Sequence, residues 1–521
     1  MKVAIIGDLF IDDTGTAMPS IESMLCAISL IKLTQSKIVL ISQIQTCQFD
    51  FGVTSLSQWA LDFHSRLQMK ESDYVLKNNG SFQIGTLHDY SNSPVYRSHN
   101  QLGNFVIGEG TVGIDLYNVQ FQHHLRYLHG NNTQAVSYEP YSLSCAMAKH
   151  NKFIFPSEDN KSILSTLSYR ACIDEASYQS YLYTCFKTLL IANDCEHIIT
   201  TDIDIIGKNG QIIQSDELVI GPEIKQIKSD NTVTELDLLV DARDASMAQL
   251  SNEAENSRAK ADNHNYKFCY SFTVKQPPSA RKEVSMLKGG ILVSNSARLH
   301  TAFKFYSQQT FALSDLSNQL KKQCGLEVDP KQINLKCVEF TAPDLYWQSN
   351  YINLNSGKAL SLFEYSNIEL SMRIIDQICL LFPVSNNMKN IALEVNANLK
   401  QAFACIEDYE AAYLFMIAQL ASKGTVAADS IFKPSSNLTE NVKHTIGLFA
   451  ESGRLRHREH DPIDDVKWIS TFLALGLNID TYDPMLDIQK DENLPKIFAN
   501  IEAQITKTVS QLPSISDYIG L

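Results

Sequence analysis

Three carboxylates follow the first apolar run of the chain, at a place where a nucleotide phosphate could bind. The opening residues MKVAII predict a β-strand that ends at Gly7, and Asp8, Asp12 and Asp13 come directly after it. A diphosphate needs glycines that let backbone N–H groups approach, and a helix N-terminus that meets its charge. Because carboxylates repel a diphosphate, we expect this loop to be a poor phosphate site.

Two histidine pairs have spacings that could hold a metal ion. His123 and His124 are adjacent, while His457 and His460 lie within the charged run RLRHREHD, which is typical of a solvated face. The eleven cysteines are scattered and none forms a C-x-x-C motif, which disfavours a zinc site or a disulfide framework. The sequence therefore predicts no metal, and thiols buried in a reducing cytoplasm.

Other short motifs are weak indications of an activity. The tetrapeptide Gly108-Glu109-Gly110-Thr111 predicts a turn, and no serine lies in a G-x-S-x-G nucleophile elbow. The segment VAIIGDLFIDD resembles the opening of ribokinase-like sugar kinases, but the chain lacks the G-A-G-D anion-hole motif of that family. An unrelated α/β enzyme such as a kinase is therefore the third of the three hypotheses given below.

Composition excludes two classes of partner. The chain of 521 residues has 44 Lys and Arg against 58 Asp and Glu, a net charge of −14, so it has no surplus of cations for nucleic acid or an anionic membrane. No run of about 18 apolar residues is present to span a membrane, and the N-terminus lacks the apolar core of a signal peptide. We expect a cytoplasmic protein that binds neither nucleic acid nor membrane.

The order of the elements predicts an α/β fold. A strand at the N-terminus, a helix near 21–33 and a strand at 37–41 form a β-α-β unit. Residues 175–192 predict a helix, residues 196–241 predict several short strands, and the chain from 359 onward is mostly helical. These patterns indicate a nucleotide-binding type of body followed by a helical C-terminal part.

Six blocks, in order along the chain, resemble the flavin-dependent tryptophan halogenase family. Each block alone is weak, whereas their common order over nearly the whole chain is fairly specific. The blocks are ESDYVLKNNGSFQIGTLHDY from Glu71, YSLSCAMAKHNKFIFP from Tyr141, the segment Tyr169–Leu182, LDLLVDARDAS from Leu236, the segment Trp347–Pro383, and the segment Trp468–Tyr518.

The resemblance implies a fold, a cofactor and a chemistry. The fold would be α/β (α+β): an FAD/NAD(P)-binding Rossmann-like body over 1–385, with substrate-module segments inserted at about 90–170 and 245–285, and a helical substrate module over 386–521. The cofactor would be FAD, whose reduced form activates oxygen so that a halide is oxidised. An essential lysine and a neighbouring glutamate then act near an indole or other aromatic substrate.

This sequence departs from the family at its functional positions. The glycine fingerprint after the first strand is replaced by GDLFIDDTG, which leaves Gly7 and Asp8 at the cofactor position. The ribose-binding acid is replaced by Ser42-Gln43, and the family's D-c-s-G segment reads DARD from Asp241 to Asp244. The G-x-G-E-x-T-x-P loop appears as FGVTSLS, and the W-x-W-x-I-P signature is absent from GGILVSNSARLH.

Two residues fall on the catalytic positions of the family. Gln83 takes the place of the essential lysine, and glutamine carries no positive charge. Glu364, in LSLFEYSNIEL, takes the place of the glutamate. It could also simply complement the N-terminal dipole of the following helix.

These departures favour a pseudo-enzyme: a tryptophan halogenase-like protein with lost or altered FAD binding and halogenation, acting as a non-catalytic binding or regulatory homologue. Its partner would be a small aromatic ligand or a protein or peptide, and a homodimer is compatible with the family. The second hypothesis is an active FADH2-dependent halogenase or oxidoreductase on an aromatic substrate. The third is the unrelated α/β enzyme.

Overall fold

Three sheets and a set of C-terminal helices surround the main core of the protein, and a small fourth sheet lies against the first. The computed structural model describes residues 1–11, 16–44, 52–91, 104–130, 137–213, 223–230, 232–243, 266–337, 346–354, 361–362, 364–385, 388–422, 438–456, 461–489 and 492–520. The predicted strand at 217–220 and the polar stretch at 244–265 lie outside these residues. No helix of the described chain is long and apolar enough to cross a membrane.

Fourteen α-helices are present in this part of the chain. Their bounds are α1 Ile21–Thr34, α2 Gln58–Arg66, α3 Glu71–Tyr74, α4 Phe121–His129, α5 Leu143–Lys149, α6 Glu175–Ala192, α7 Leu313–Cys324, α8 Asn367–Leu380, α9 Lys389–Ser422, α10 Glu440–Ser452, α11 Asp465–Ala474, α12 Met485–Gln489, α13 Leu494–Gln511 and α14 Ile515–Tyr518. Short 3-10 turns lie at Leu76–Asn78, Glu139–Tyr141, Ile163–Thr166 and Pro330–Gln332.

The strands of the described residues alternate with the first helices and then form long antiparallel runs. Their bounds are β1 Lys2–Ile11, β2 Ala17–Pro19, β3 Lys37–Ile44, β4 Val53–Leu56, β5 Ser81–Gln83, β6 Gly85–Asp89, β7 Asn104–Gly108, β8 Arg170–Asp174, β9 Glu196–Thr200, β10 Ile203–Gly207, β11 Ile212–Ile213, β12 Ile224–Ser229, β13 Thr232–Glu235, β14 Leu238–Asp241, β15 Phe268–Val274, β16 Arg281–Leu287, β17 Gly290–Ser296, β18 Thr301–Ser307, β19 Asn334–Cys337, β20 Trp347–Gln348 and β21 Tyr351–Asn353.

The first sheet is mainly parallel and contains the predicted β-α-β unit. Its order is β20-β21-β14-β1-β3-β9, with β2 paired to the far end of β1. Strands β21, β14, β1, β3 and β9 run parallel, and α1 connects β1 to β3, as in a Rossmann-like body. The central strands are apolar on both faces because helices cover one face and the small sheet β11-β10-β12-β13 contributes to the apolar cluster on the other.

Helix α1 begins and ends as the sequence predicts. The side chain of Ser20 caps it by accepting a hydrogen bond from the backbone N–H of Ser23, and Glu22 complements the positive end. Its last residue is followed by Gln35 in the left-handed conformation, with φ 54°. Most of its side chains are buried, because the helix packs between the first sheet and helices α6 and α8.

The first strand is longer than the sequence predicted. We expected it to end at Gly7, but β1 continues to Ile11 and pairs there with β2. Leu9 and Phe10 are buried, which favours continuation of the strand over a turn. The prediction of a loop immediately after Gly7 is therefore wrong, and Asp8 lies within a strand.

Two other sheets carry residues of the candidate site. One is a mostly antiparallel sheet in the order β19-β15-β18-β17-β16-β6-β7, in which β16 and β6 are the parallel pair. The other is the three-stranded sheet β4-β8-β5. The described chain after 364 is mostly helical, as predicted. The division of the chain at residue 385 stays a prediction.

Candidate functional site

A cavity of about 380 Å³ lies where the strands of the body meet the C-terminal helices. Its walls come from the segment before α2, the turn after β7, residues 165–170, the segment before α8, and the start of α11. Glu364, one of the two predicted catalytic residues, lines this cavity and is only 7% exposed. The predicted turn at Gly108–Thr111 also lines it, so Glu109 faces the same space.

Lys467 joins these two carboxylates. Its ammonium group lies 3.2 Å from Oε1 of Glu109 and 3.3 Å from Oε1 of Glu364. Burial alone would lower the pKa of Lys467, but the two carboxylates outweigh burial and raise the pKa above its ordinary value. Burial likewise favours protonation of Glu109, yet Lys467 holds the pKa of that carboxyl below its ordinary value. The cavity therefore contains a buried, charged lysine between two glutamates.

The position of Lys467 in its helix indicates why this charge is costly. Helix α11 is capped by Asp464, whose carboxylate accepts a hydrogen bond from the backbone N–H of Lys467 at 2.7 Å. The ammonium group thus belongs to the first turn, where the helix dipole disfavours a cation. Glu109 and Glu364 offset this disadvantage. Sequence reasoning missed Lys467; the signal was a lysine beside Trp468 in an otherwise apolar helical run.

A second group of charges lies on another side of the cavity. Glu369 is fully buried and accepts hydrogen bonds from the backbone N–H of Ser57, at 3.1 Å, and from its hydroxyl. The guanidinium groups of Arg170 and Arg373 each lie 3.5 Å from this carboxylate. Arg170 also donates to the backbone carbonyl of Glu364 at 2.8 Å. Two arginines therefore share one glutamate.

Gln83, the second predicted catalytic residue, lies behind the cavity wall. It is the direct cross-strand partner of Arg170 in the β5–β8 pair and is 1% exposed. Its side-chain oxygen accepts a hydrogen bond from Ser55 at 3.1 Å, and Arg170 donates to the same hydroxyl at 3.0 Å. Its amide Nε2 has no hydrogen-bond partner among the described residues. Arg170 therefore connects Gln83 to Glu364, since it shares the Ser55 hydroxyl with the first and bonds the backbone of the second.

A further lysine contributes to the charge of this region. Lys282, on β16, is buried, and burial lowers its pKa to about 8 although the nearby carboxylate of Glu364 acts in the opposite direction. It pairs across strands with Thr86 of β6, and Ile84, which follows Gln83, donates its backbone N–H to Ala280. Strand β16 thus places a buried lysine beside the segment that carries Gln83.

The predicted cofactor residues lie along the first sheet. Gly7 and Asp8 are in β1, and Asp8 is 2% exposed. The backbone carbonyl of Asp8 accepts a hydrogen bond from the N–H of Ser20, the residue that caps α1. A Cβ on Gly7 would lie 2.5 Å from the Cβ of Ser23. Gly7 is therefore required for close packing of α1 on β1, whether or not this edge binds a cofactor.

The other two predicted cofactor residues have protein partners. Ser42 is fully buried, and its hydroxyl forms a 2.9 Å hydrogen bond with Nε2 of His197. Asp241 accepts hydrogen bonds from Arg243 at 2.6 and 3.0 Å and from the hydroxyl of Tyr351 at 3.2 Å. Asp12, Asp13 and Asp244 lie outside the described residues. Within the described part of the chain, Gly7, Asp8, Ser42 and Asp241 lie on three adjacent strands of the first sheet.

The described residues at this edge do not fit the phosphate-binding turn that a dinucleotide requires. The start of α1 is buried, with Ser20 at 4% and Ile21 at 1% exposure, and its capping serine is already engaged with the chain. Strand β1 continues through this point, and it carries the buried carboxylate of Asp8 directly after Gly7. A pyrophosphate would need open backbone N–H groups at this point.

One of the two predicted histidine pairs lies in the described residues. His123 and His124 are buried on α4, where His124 bonds the backbone carbonyl of Leu116 at 3.0 Å. His457 and His460 lie outside the described residues. Within the part of the chain that the structure describes, no group of three potential metal ligands comes together.

Comparison with known proteins identifies the fold. A family model described as tryptophan halogenase matches residues 6–217. Among solved structures, BrvH, a flavin-dependent halogenase from Brevundimonas sp. BAL3, is 16% identical with a TM-score of 0.77, covering 99% of this chain and 98% of that one. Xcc4156, a flavin-dependent halogenase from Xanthomonas campestris, is 16% identical with a TM-score of 0.78, covering 99% and 97%.

The tryptophan 6-halogenase SttH from Streptomyces toxytricini is 12% identical with a TM-score of 0.72, covering 99% of both chains. No curated protein matches by sequence. At such low identities the solved structures establish the fold alone. The resemblance to the tryptophan halogenase family is thus confirmed over residues 6–217, and the whole chain has the α/β, Rossmann-like fold of the flavin-dependent halogenases.

Proposed function

We propose that this protein is a halogenase-fold binding protein that has lost tight FAD binding and lysine-dependent halogenation. It would hold a small aromatic ligand in the cavity beside Glu364. The observation that carries the proposal is the cross-strand pairing of Gln83 with Arg170, because an amide cannot supply the amine that the family chemistry needs and a second cation is already present there.

The first sheet supports the same conclusion about flavin. The start of α1 is buried under β1 and β2, and Asp8 takes the place of a family glycine. If these changes cost about 4 kcal/mol at the pyrophosphate, affinity falls about a thousandfold. The experiment is a titration of the purified protein with oxidised FAD and with reduced FAD, in which binding is measured by calorimetry. Tight stoichiometric binding would contradict the proposal.

The cavity supports a retained binding role. Its volume is in the range of small-molecule sites, and Trp59 and Tyr365 provide aromatic surface beside the charged groups. The ligand test is a calorimetric titration of the flavin-free protein with indole derivatives. Binding would be weakened by Trp59→Ala and unaffected by Trp347→Phe, since Trp347 is buried away from the cavity.

An active FADH2-dependent halogenase or oxidoreductase is the second candidate. The pair of Lys467 and Glu364 favours it, because the cavity still contains a lysine next to the predicted glutamate. In that case the protein would brominate indole when a flavin reductase regenerates reduced flavin, and Lys467→Met would abolish the product. Absence of brominated indole, with the flavin supply verified by a known halogenase, would exclude this candidate.

A further inference from the structure

Arg373 is held between two aromatic rings in the cavity wall. The centre of its guanidinium group lies 4.2 Å from the ring centroid of Trp59 and 5.0 Å from that of Tyr365. All three residues line the cavity. Contact with both rings restricts the position of the guanidinium group.

The charge of Arg373 is incompletely matched by the protein. Its one ion pair among the described residues is with Glu369, at 3.5 Å, which is too long for a strong hydrogen bond. The same carboxylate serves both hydrogen-bond donors of Ser57 and the guanidinium of Arg170. The Nε atom of Arg373 is buried and has no hydrogen-bond partner in the described part of the chain.

The other carboxylates of the cavity are engaged elsewhere. Glu109 and Glu364 both bind Lys467, and Asp464 caps helix α11. Arg170 is also stabilised by Glu109 and Glu364, which leaves Glu369, at 3.5 Å, as the carboxylate paired with Arg373 among the described residues. A buried charge is costly unless a partner of opposite sign completes its hydrogen bonds.

We propose that Arg373 forms a carboxylate subsite of the cavity, so that its ligand is an aromatic acid. This inference rests on the proposed ligand-binding function. A planar carboxylate matches the fork of a guanidinium group, and Trp59 and Tyr365 flank the position with apolar surface for the attached ring. A neutral amide of the same shape lacks the negative charge that Arg373 requires.

The test compares indole-3-carboxylate with indole-3-carboxamide by calorimetry, on flavin-free protein in a chloride-free buffer at pH 7.5. We expect the acid to bind at least about tenfold more tightly than the amide. Arg373→Met should remove this preference by weakening only the acid. Arg373→Lys, which keeps the charge but loses the fork, should give an intermediate preference and carries the test if the methionine variant does not fold.

Arg66→Met is the matched control. Arg66 also lies over an aromatic ring, Phe63 at 5.4 Å, and pairs with Asp376 at 2.8 Å, but it does not line the cavity. The variant Arg66→Met should therefore leave the preference for the acid over the amide unchanged.

Equal binding of the acid and the amide, or a preference that survives in both Arg373 variants, would overturn the subsite. Arg373-dependent binding of bromide without binding of the acid would show a halide site instead. Failure of both indole compounds to bind would also overturn it. Flavin binding is judged separately by the FAD titration, so a failure of the flavin proposal can be distinguished from a failure of the subsite.

Discussion

Gln83 and Arg170 face each other across strands β5 and β8, and both bond the hydroxyl of Ser55. Arg170 is 7% exposed and reaches Glu369 and the backbone of Glu364. A lysine at position 83 would place a second buried cation opposite this arginine. The absence of a lysine at position 83 is therefore compatible with a buried arginine at position 170.

Replacing Gln83 by lysine should destabilise the protein. Like charges directly opposite in a sheet repel each other, and the new ammonium would be buried without a carboxylate of its own. We expect Gln83→Lys to lower the free energy of unfolding by roughly 3 kcal/mol in a urea titration. Gln83→Met should cost about 1 kcal/mol or less, because it removes an acceptor together with an unpaired donor.

The coupling can be measured by a double-mutant cycle. If Arg170 causes the repulsion, Gln83→Lys should cost less in an Arg170→Met background than in the wild type. An equal cost in both backgrounds would contradict the coupling.

Replacing Lys467 by methionine should remove the cation between Glu109 and Glu364. Two buried carboxylates would then lack a partner, and we expect a loss of about 3 to 5 kcal/mol at pH 7 by chemical denaturation. Lys443→Met, which breaks an exposed pair with Glu440, should change stability by less than about 0.5 kcal/mol.

The effect of Lys467→Met should depend on pH. Because the pKa of Glu109 is lowered in the folded wild type, its stabilising pairing is present above the ordinary value of 4.5 and is lost as the pH falls through the folded value. The difference between wild type and variant should therefore narrow below pH 4.5. A difference that does not change with pH would indicate that packing, and not charge, causes the loss.

Gly7 should be required for packing. In Gly7→Ala the new Cβ would collide with the side chain of Ser23, at 2.5 Å, and we expect a loss of about 2 kcal/mol in thermal unfolding. The control is Gly447→Ala on helix α10, where nothing lies within 4 Å and the alanine should stabilise the helix by about 0.5 to 1 kcal/mol. An unchanged melting temperature in Gly7→Ala would show that the strand and helix can separate.

Stability should fall in mild acid because of His64. Burial lowers its pKa from 6.5 to about 4, although a hydrogen bond to the carbonyl of Ala60 opposes this, and its Nε2 bonds the hydroxyl of Tyr178. The unfolded chain then binds a proton below pH 6.5 that the folded chain does not bind until about pH 4. The contribution of His64 to the free energy of unfolding is thus fully present above pH 6.5. It declines by about 3 kcal/mol as the pH falls to 4.

The measurement is urea unfolding at several pH values between 7.5 and 4. His64→Asn should flatten the decline, while His150→Asn, on an exposed turn, should leave it unchanged. If stability declines as steeply in His64→Asn as in the wild type, other groups cause the decline.

Local signals predicted the helices better than the site. Residues 175–192 are apolar with helical spacing and follow the capping side chain of Asp174, so the bounds of α6 were predicted correctly. The end of β1 was predicted wrongly because the strand continues where β2 pairs with Leu9 and Phe10. The local sequence does not show that pairing. The contact of Lys467 with Glu109 joins residues 358 apart, and no local pattern encodes it.

Two predicted residues, Glu364 and Gln83, belong to one region, but their relationship could not be derived from spacing. The family resemblance gave their positions along the chain. The cross-strand partner of Gln83 and the cation beside Glu364 depend on how distant segments pack. The charges that determine what this cavity binds are therefore a property of the tertiary structure.

The most direct test of the central proposal is the visible absorption spectrum of the purified protein, followed by titration with FAD and reduced FAD. The account predicts a colourless protein that binds neither form at high micromolar concentration, because the start of α1 is buried and β1 carries a buried carboxylate, Asp8, directly after Gly7. Stoichiometric FAD with the absorption bands of a bound flavin would contradict it, and the halogenation assay would then decide between an active and an inactive site.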